Sequence, residues 1–168
     1  FSSKPPVGYT KKGLLVALKQ SAKQTNQIEN IIFEKSFPVE GKTFKNAGNV
    51  STQVKAILQE MFLPAEEIRR AAIVTYEAEI NICSYAEHGV ITLRLTPEKI
   101  IIDSTDKGQG IADIKLAMEE GYSTATRKIW QMGFGAGMGL SNMKKYSDSF
   151  EISSEVGIGT NIRMMINI

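Results

Sequence analysis

The order of helical and β-rich segments is the feature that most constrains how this chain can fold. Apolar residues at three- and four-residue spacings predict helices over about residues 46–62 and 65–86. A first strand is predicted over 31–39, where Pro38 is expected to help end it. Further β-rich runs come later, at 90–95, 100–103, 149–154 and 161–167. Without regular strand–helix alternation, this order predicts an α+β sandwich, one mixed sheet with helices on one face, over a doubly wound parallel sheet.

Composition narrows the class of protein. Hydrophobic residues make up 42% of the 168-residue chain and charged residues 23%, as in soluble globular proteins. The net charge of +2 is too small to argue for nucleic acid or a membrane surface. The single cysteine, Cys83, excludes an internal disulfide and a Cys-rich zinc site, and it suits a reducing compartment. No apolar run approaches the ~20 residues that cross a bilayer, so a cytoplasmic protein is expected.

The first 30 residues differ from the rest of the chain. Serine, proline and glycine before position 10 predict a partly disordered lead-in. A weak apolar stripe among Lys and Gln over 11–30 is compatible with a helix there. We therefore expect an N-terminal extension over 1–30 and a single domain over 31–168.

The predicted helix 65–86 carries a carboxylate and a carboxamide on one face. At 100° per residue, Asn81 lies about 40° from Glu77, within an apolar stripe. A carboxylate in such a stripe costs free energy unless it is paired, protonated or used in chemistry. The alternative is a boundary glutamate beside Arg70. Glu79 points about 160° away from Glu77 and is predicted to be solvated.

Two glycine motifs lie in the second half of the chain. Asp106-Lys107-Gly108-Gln109-Gly110 follows a β-rich run, and its glycines permit a tight turn on which a flat ligand can lie. A surface turn is the alternative. Gly157-Ile158-Gly159-Thr160 separates the last two predicted strands and by itself indicates an ordinary hairpin turn.

Between these motifs, a helix over about 111–120 is followed by a glycine-rich, mobile-looking segment over 122–139. Its run Gly133–Leu140 has glycine at every second position up to Gly139 and leads into a short helix over about 140–147. Free backbone N–H groups beside a helix N-terminus can cradle phosphates. The run lacks the Gly-Lys-Ser/Thr of a P-loop and the G-x-G-x-x-G of a dinucleotide site. A merely flexible loop is the alternative.

In chain order, these motifs resemble the N, G1, G2 and G3 boxes of the GHKL ATPases, the superfamily of gyrase, Hsp90, histidine kinases and MutL. The boxes are Glu77-x-x-x-Asn81, Asp106-x-Gly108-x-Gly110, Gly133–Gly139 and Gly157-x-Gly159-Thr160. The resemblance covers roughly residues 31–168. It implies the Bergerat fold, a two-layer α/β sandwich with a mixed, mostly antiparallel sheet, in which ATP lies between helices and sheet under a glycine-rich lid.

Within that superfamily, the chain is similar to the anti-sigma-factor and switch serine kinases, through Asn81-Ile82, Tyr85-Ala86 and the stretches 118–124 and 137–150. This resemblance implies an ATP-dependent serine/threonine protein kinase that phosphorylates a STAS-domain antagonist in bacterial stress or sigma-factor signalling. An anti-sigma factor that sequesters a sigma factor under the control of ATP is the alternative, and a nucleotide sensor without turnover is a third. A PP2C-type phosphatase is a further candidate partner, and homodimerisation stays open.

The resemblance also implies roles for single residues. Glu77 would act as general base, and Asn81 would bind Mg²⁺. Asp106 would accept a hydrogen bond from the adenine amino group, with Thr160 in support. Further contacts to the nucleotide would come from Gly108, Gly110, Gly135, Gly137, Gly139, Leu140, and from the lid cations Arg127 and Lys128.

Several residues of this region have more than one interpretation. For Arg127 and Lys128, a solvated loop edge is the alternative. Trp130, the single tryptophan, would pack over the nucleotide, contact a partner or anchor the lid. Ser84 and Tyr85 stand where many relatives carry Lys or His, so one phosphate contact would either be missing or come from elsewhere. His88 is expected to be a loop residue just before a strand.

Overall fold

The computed structural model describes residues 30–168, and within this range five strands form one sheet. The strand order is β1-β2-β3-β5-β4, and every neighbouring pair is antiparallel. The strands are β1 (Phe33–Glu40), β2 (Ala86–Leu95), β3 (Lys99–Gly108), β4 (Ser149–Glu155) and β5 (Gly159–Asn167). The predicted α+β sandwich is confirmed. The sheet of the described residues is antiparallel throughout rather than mixed. Short connections join β2 to β3 and β4 to β5, as antiparallel neighbours allow.

Helices cover one face of this sheet. They are α1 (Asn49–Glu60), α2 (Ala65–Tyr85), α3 (Ile114–Ala117), α4 (Arg127–Gln131) and α5 (Gly139–Lys145). The long helix α2 lies across the sheet and contacts β1, β2, β3 and β5, while α1 and α5 pack against α2. One surface of α2 therefore faces the centre of the molecule over its whole length.

The core lies between α2 and the sheet. Ile91 and Leu93 of β2 are fully buried, as is Ile102 of β3, and Val74 and Ala78 of α2 face them in the same hydrophobic cluster. Burying each large aliphatic side chain contributes about 1.5–3 kcal/mol relative to leaving it exposed. This layer holds α2 at a fixed position above the sheet.

The opposite face of the sheet carries a network of ion pairs. Arg94 of β2 pairs with Glu34 of β1 and with Asp103 of β3, and the Arg163 Nε of β5 donates to Asp103 Oδ1 at 2.7 Å. Successive residues of a strand point to opposite faces, so these charged residues alternate with the apolar residues of the core.

Two strands differ from the sequence prediction. Pro38 does not end β1 but lies inside it, opposite Val90. Because β1 is an edge strand, a residue without an N–H group leaves no central hydrogen bond unmade. Strand β2 begins at Ala86, so exposed His88 is a strand residue opposite Glu40 rather than a loop residue.

The segment between β3 and β4 contains more short helices than predicted. α3 occupies only Ile114–Ala117 of the predicted 111–120, and Asp113 Oδ1 caps it by accepting from the Leu116 N–H at 3.0 Å. α4 lies within the segment predicted to be a loop, and Thr126 caps it. The predicted helix in the N-terminal extension falls outside the described residues.

Candidate functional site

A cavity of about 700 Å³ lies between α2, the adjoining ends of β3 and β5, and the segment that precedes α5. We call this segment, residues 121–138, the lid. Glu77, Asn81, Asp106 and Thr160 all line the cavity. Residues predicted from three separate motifs are therefore brought together around one space.

Glu77 and Asn81 lie side by side at the start of α5. A Cβ atom built on Gly139 would lie 3.3 Å from Asn81 Oδ1 and 3.4 Å from Glu77 Oε2, so both side chains reach the first residue of that helix. The predicted shared face of the two residues is therefore seen in the structure. Asn142 Nδ2 donates to Glu77 Oε1 at 2.8 Å.

Asn142 was not predicted from the sequence to be a residue of this site. It lies three residues after Gly139, on the same face of α5, so the i,i+3 spacing of a helix was the available signal. Its hydrogen bond fixes one carboxylate oxygen of Glu77 and leaves Oε2 directed at the glycine-rich segment. Arg70, the alternative neighbour of Glu77, instead pairs with Asp148 at 2.9 Å and donates to the Tyr146 carbonyl at 3.0 Å.

The prediction for Glu79 was wrong. This side chain is only 2% exposed, and its two oxygens accept hydrogen bonds from the Val50 N–H at 3.2 Å and the Ser51 N–H at 3.3 Å. These N–H groups belong to the first turn of α1, where Gly48 as N-cap offers no side-chain acceptor. A second helix therefore buries the face of α2 that was expected to be solvated.

Asp106 and Thr160 meet at the far end of the cavity. The Thr160 N–H donates to Asp106 Oδ1 at 3.2 Å, and Thr160 Oγ1 is 2.9 Å from Ser154 Oγ. Burial raises the pKa of Asp106 above its usual value, and the hydrogen bond from Thr160 partly offsets this rise. Asp106 lies within β3 rather than in a turn, and its extended backbone directs the carboxylate into the cavity.

The glycines of the motif after Asp106 occupy two different environments. Among the described residues, the cavity lining includes Gly110 but not Gly108. Gly108 is the last residue of β3 and lies against the Tyr85 carbonyl and the Asp106 side chain. Gly108 therefore shapes the site through Asp106.

The lid brings the glycine-rich run over the cavity. The lining includes Gly135, Gly137, Gly139 and Leu140. The Gly121 N–H donates to the Gly137 carbonyl at 3.0 Å, which joins the two ends of the lid. On this side the cavity is lined by the glycine backbone together with the side chains of Tyr122, Phe134 and Met138.

The two candidate lid cations lie elsewhere. Arg127 and Lys128 are exposed residues of α4, and within residues 30–168 neither is part of the cavity lining. Trp130 is 53% exposed, so it does not anchor the lid; that position is held by Ile129, which is 6% exposed. Ser84 and Tyr85 do line the cavity.

The donor atoms present fit a magnesium–nucleotide rather than a free metal ion. No cluster of three or more His, Cys, Asp or Glu side chains in the described part of the chain could hold a metal alone. Asn81 directs a carboxamide into the cavity beside a glycine-walled space. Mg²⁺ in such sites takes one or two protein oxygens and completes its shell with phosphates and water.

The fold and the site together define an α+β sandwich with a glycine-lined cavity between its long helix and its sheet. Residues 42–166 match the family described as the histidine kinase-like ATPase domain. The chain belongs to this family, and all four predicted motifs lie inside the matched range.

Two relatives are similar over much of their own length. The anti-sigma F factor of Caldanaerobacter subterraneus subsp. tengcongensis is 31% identical over 125 residues, which cover 71% of this chain and 84% of that protein. The serine/threonine-protein kinase RsbT of Bacillus subtilis is 33% identical over 102 residues, covering 57% and 71%. The predicted kinship with anti-sigma factors and switch kinases is confirmed.

A solved structure shares the fold. A chain from the crystal structure of the SiaB–SiaC complex of Pseudomonas aeruginosa superposes with a TM-score of 0.56 and 13% sequence identity, covering 90% of this chain and 96% of that one.

Within residues 30–168, no helix combines the length and the apolar character needed to cross a membrane.

Proposed function

We propose that this chain is an ATP-dependent serine/threonine protein kinase that phosphorylates a STAS-domain antagonist in bacterial stress or sigma-factor signalling. The observation that carries the proposal is the distance of 3.4 Å between Glu77 Oε2 and a Cβ built on Gly139. A candidate general base thus lies at the end of the glycine-rich run that would hold the phosphates. The similarity to a serine/threonine kinase supports the same activity.

In this proposal, the nucleotide lies along the cavity from Asp106 to Asn81. The Asp106 carboxylate accepts a hydrogen bond from the adenine amino group, and the Thr160 N–H holds that carboxylate in place at 3.2 Å. Asn81 would contribute one oxygen to Mg²⁺, and the lid would wrap the phosphates. When bound, the metal would supply positive charge that stabilises the charge developing during transfer.

Glu77 then takes part in the transfer step. Its carboxylate accepts the proton of a serine or threonine hydroxyl of the partner while the hydroxyl oxygen bonds to the γ-phosphorus. The bond between that phosphorus and the β-phosphate oxygen breaks, and ADP leaves. The hydrogen bond from Asn142 occupies Oε1, so Oε2 is the oxygen that faces the hydroxyl.

The test is phosphate transfer from labelled Mg-ATP to a STAS-domain protein encoded beside this gene, with the Glu77→Gln variant. Glutamine keeps the shape but not the basicity, so we expect roughly 10²–10⁴-fold slower transfer with nearly unchanged ATP affinity. Glu60→Gln, at an exposed glutamate of α1, is the matched control and should transfer at the normal rate. Equal rates in all three proteins, or no transfer by any, would refute the kinase proposal; the second result, with ATP still bound, indicates a nucleotide sensor.

A second candidate function rests on the similarity to anti-sigma F factors. Such a protein would hold a sigma factor in one nucleotide state and release it in another. Co-elution of a purified sigma factor with the chain in Mg-ATP but not in ADP would support it. Co-elution only with a STAS-domain or PP2C-type phosphatase partner would count against it.

A further inference from the structure

An aromatic stack joins the lid to a distant part of the chain. The rings of Phe44 and Phe134 are stacked, with their centroids 4.6 Å apart and an interplanar angle of 6°. Phe134 belongs to the lid and lines the cavity. Phe44 lies in the connection between β1 and α1, residues 41–48, and packs against the hydrophobic core. The stack therefore links a cavity wall to the rigid body of the domain.

The connection that carries Phe44, which we call the lid seat, is fixed at both ends. At its start, the Gly41 N–H donates to the Glu87 carbonyl at 3.0 Å. Gly41 also approaches β2 so closely that a Cβ there would lie 2.0 Å from the Ala86 carbonyl oxygen. At its end, buried Glu79 accepts from the first N–H groups of α1. The lid seat is thus fixed at its start by contacts with β2 and at its end by contacts with α2, the helix that carries Glu77.

Phe134 is close in the chain to the glycines that would contact the phosphates. The Phe134 N–H donates to the Ile129 carbonyl at 3.1 Å, so the backbone at Phe134 is held to the buried residue of α4. Gly135 and Gly137 follow directly in the chain and line the cavity. Moving Phe134 away from Phe44 would therefore move the backbone that faces the nucleotide.

We propose that Phe44 is a positioning residue for nucleotide binding: its ring holds Phe134, and through it the glycine run, over the phosphate end of the cavity. Neither aromatic ring touches the reacting atoms in this proposal. The inference rests on the proposed binding of Mg-ATP in the cavity but not on kinase activity. It predicts that the stack strengthens binding of the triphosphate and leaves binding of the nucleoside portion unchanged.

The size of the effect follows from the energy of an aromatic pair. Stacked pairs contribute an amount equivalent to about a 2- to 12-fold change in an equilibrium constant beyond their buried area. Phe44→Leu should therefore bind Mg-ATP about 3- to 10-fold more weakly, with adenosine affinity within about 2-fold of the unsubstituted chain. Phe44→Tyr keeps a ring of the same shape and should bind Mg-ATP normally.

A double-mutant cycle tests the proposal. Calorimetric titrations with Mg-ATP and with adenosine compare the unsubstituted chain, Phe44→Leu, Phe134→Leu and the double variant. Once either ring is lost, the other has no partner, so the double variant should bind Mg-ATP about as weakly as a single variant. Phe62→Leu, at a 46% exposed phenylalanine outside the stack, is the control and should bind like the unsubstituted chain.

The outcomes separate this proposal from the proposed function. Additive losses, equal losses of adenosine and Mg-ATP binding, or failure of Phe44→Tyr to restore affinity would each overturn the role of Phe44. If Phe44→Leu does not fold, the Phe44→Tyr and Phe134→Leu titrations decide the question. A chain that binds Mg-ATP with the expected coupling but transfers no phosphate would refute the kinase alone. A chain that binds no Mg-ATP would overturn both.

Discussion

Glu79 shows how one buried carboxylate can stabilise a helix that begins without a side-chain cap. Its oxygens take the place of an N-cap acceptor for the Val50 and Ser51 N–H groups, and a negative charge near a helix N-terminus is favourable. The same contact anchors the end of the lid seat. A single side chain on α2 thus determines where α1 starts.

Replacing Glu79 with alanine is expected to destabilise the domain by roughly 2–3 kcal/mol, because the buried Val50 N–H and the partly buried Ser51 N–H lose their acceptor. Glu79→Gln keeps one acceptor oxygen and should cost less. Urea unfolding measures both, with Glu60→Gln as the exposed control, for which a change within about 0.5 kcal/mol is expected. If Glu79→Ala unfolds at the control's urea midpoint, the capping role is disproved.

The environment of Asp106 predicts that adenosine binding depends on pH. Burial raises the pKa of this carboxyl above its usual value, so Asp106 gains a proton at a higher pH than an exposed aspartate does. A protonated carboxyl is a poorer acceptor for the adenine amino group. Adenosine affinity should therefore fall as the pH decreases from neutrality, and the fall should begin above the range in which an exposed aspartate, with a pKa of about 3.9, takes up a proton.

The control for this titration is Asp106→Asn, which has no carboxyl to protonate. We expect it to bind adenosine about 10-fold more weakly and with a flatter pH dependence over the same range. Calorimetry at several pH values provides the comparison. Parallel pH curves for both proteins would exclude Asp106 as the titrating group.

At the scale of elements, the β4–β5 hairpin shapes the end of the cavity where Asp106 and Thr160 meet. Gly157 and Gly159 both have positive φ angles, 80° and 148°. They differ in their surroundings, since a Cβ on Gly159 would lie 2.0 Å from the Asp106 carbonyl oxygen, whereas a Cβ on Gly157 would meet no atom within 4 Å. Substitutions at these two glycines therefore distinguish the cost of backbone strain from the cost of a steric clash.

Gly157→Ala and Gly159→Ala should consequently behave differently. Both variants carry the conformational cost of alanine at positive φ, about 1 kcal/mol. Only Gly159→Ala must also displace β3 at Asp106, so we expect at least about 10-fold weaker adenosine binding and a larger loss of stability. Thermal unfolding and calorimetry of both variants check this. Equal adenosine affinities would contradict the hairpin's role.

Elements were predictable from the sequence where local patterns dominate. The spacing of Val50, Val54 and Leu58 predicted α1, and Pro64 marked the start of α2. The short helix α4 was missed because its five residues lie in a glycine-rich segment with little apolar periodicity. Its cap at Thr126 was the available local signal.

At the scale of the whole molecule, binding of a nucleotide should raise the free energy of unfolding and the Tm of the domain. The cavity lies between α2, the sheet and the lid, so a bound nucleotide would contact all of them and would bind only the folded chain. At a concentration of 100 times Kd, such a ligand stabilises the fold by about 2.7 kcal/mol. For a domain of this size, this raises Tm by roughly 5–10 °C.

Thermal scans with ATP, with and without Mg²⁺, test this prediction. Asn81→Ala should lose the part of the Tm increase that depends on Mg²⁺ and keep the part that ATP alone provides. Glu77→Gln should keep the full increase, because the base acts in transfer rather than in binding. An Asn81→Ala variant with an undiminished Mg²⁺ effect would exclude this residue as the metal ligand.

The sequence by itself determined the α+β class, the family, through the order of its four motifs, and several of the residues that line the cavity, among them Glu77, Asn81 and Asp106. Helical periodicity and glycine spacing are local properties, so they can be read without the tertiary structure. Glu77 and Asn81 share a face of one helix whatever surrounds it. Only the tertiary structure decided that Glu79 is buried, that Asp106 meets Thr160 within the sheet, and that Phe44 stacks on Phe134. Each of these contacts joins residues far apart in the chain, and no local pattern encodes which distant group will supply the partner.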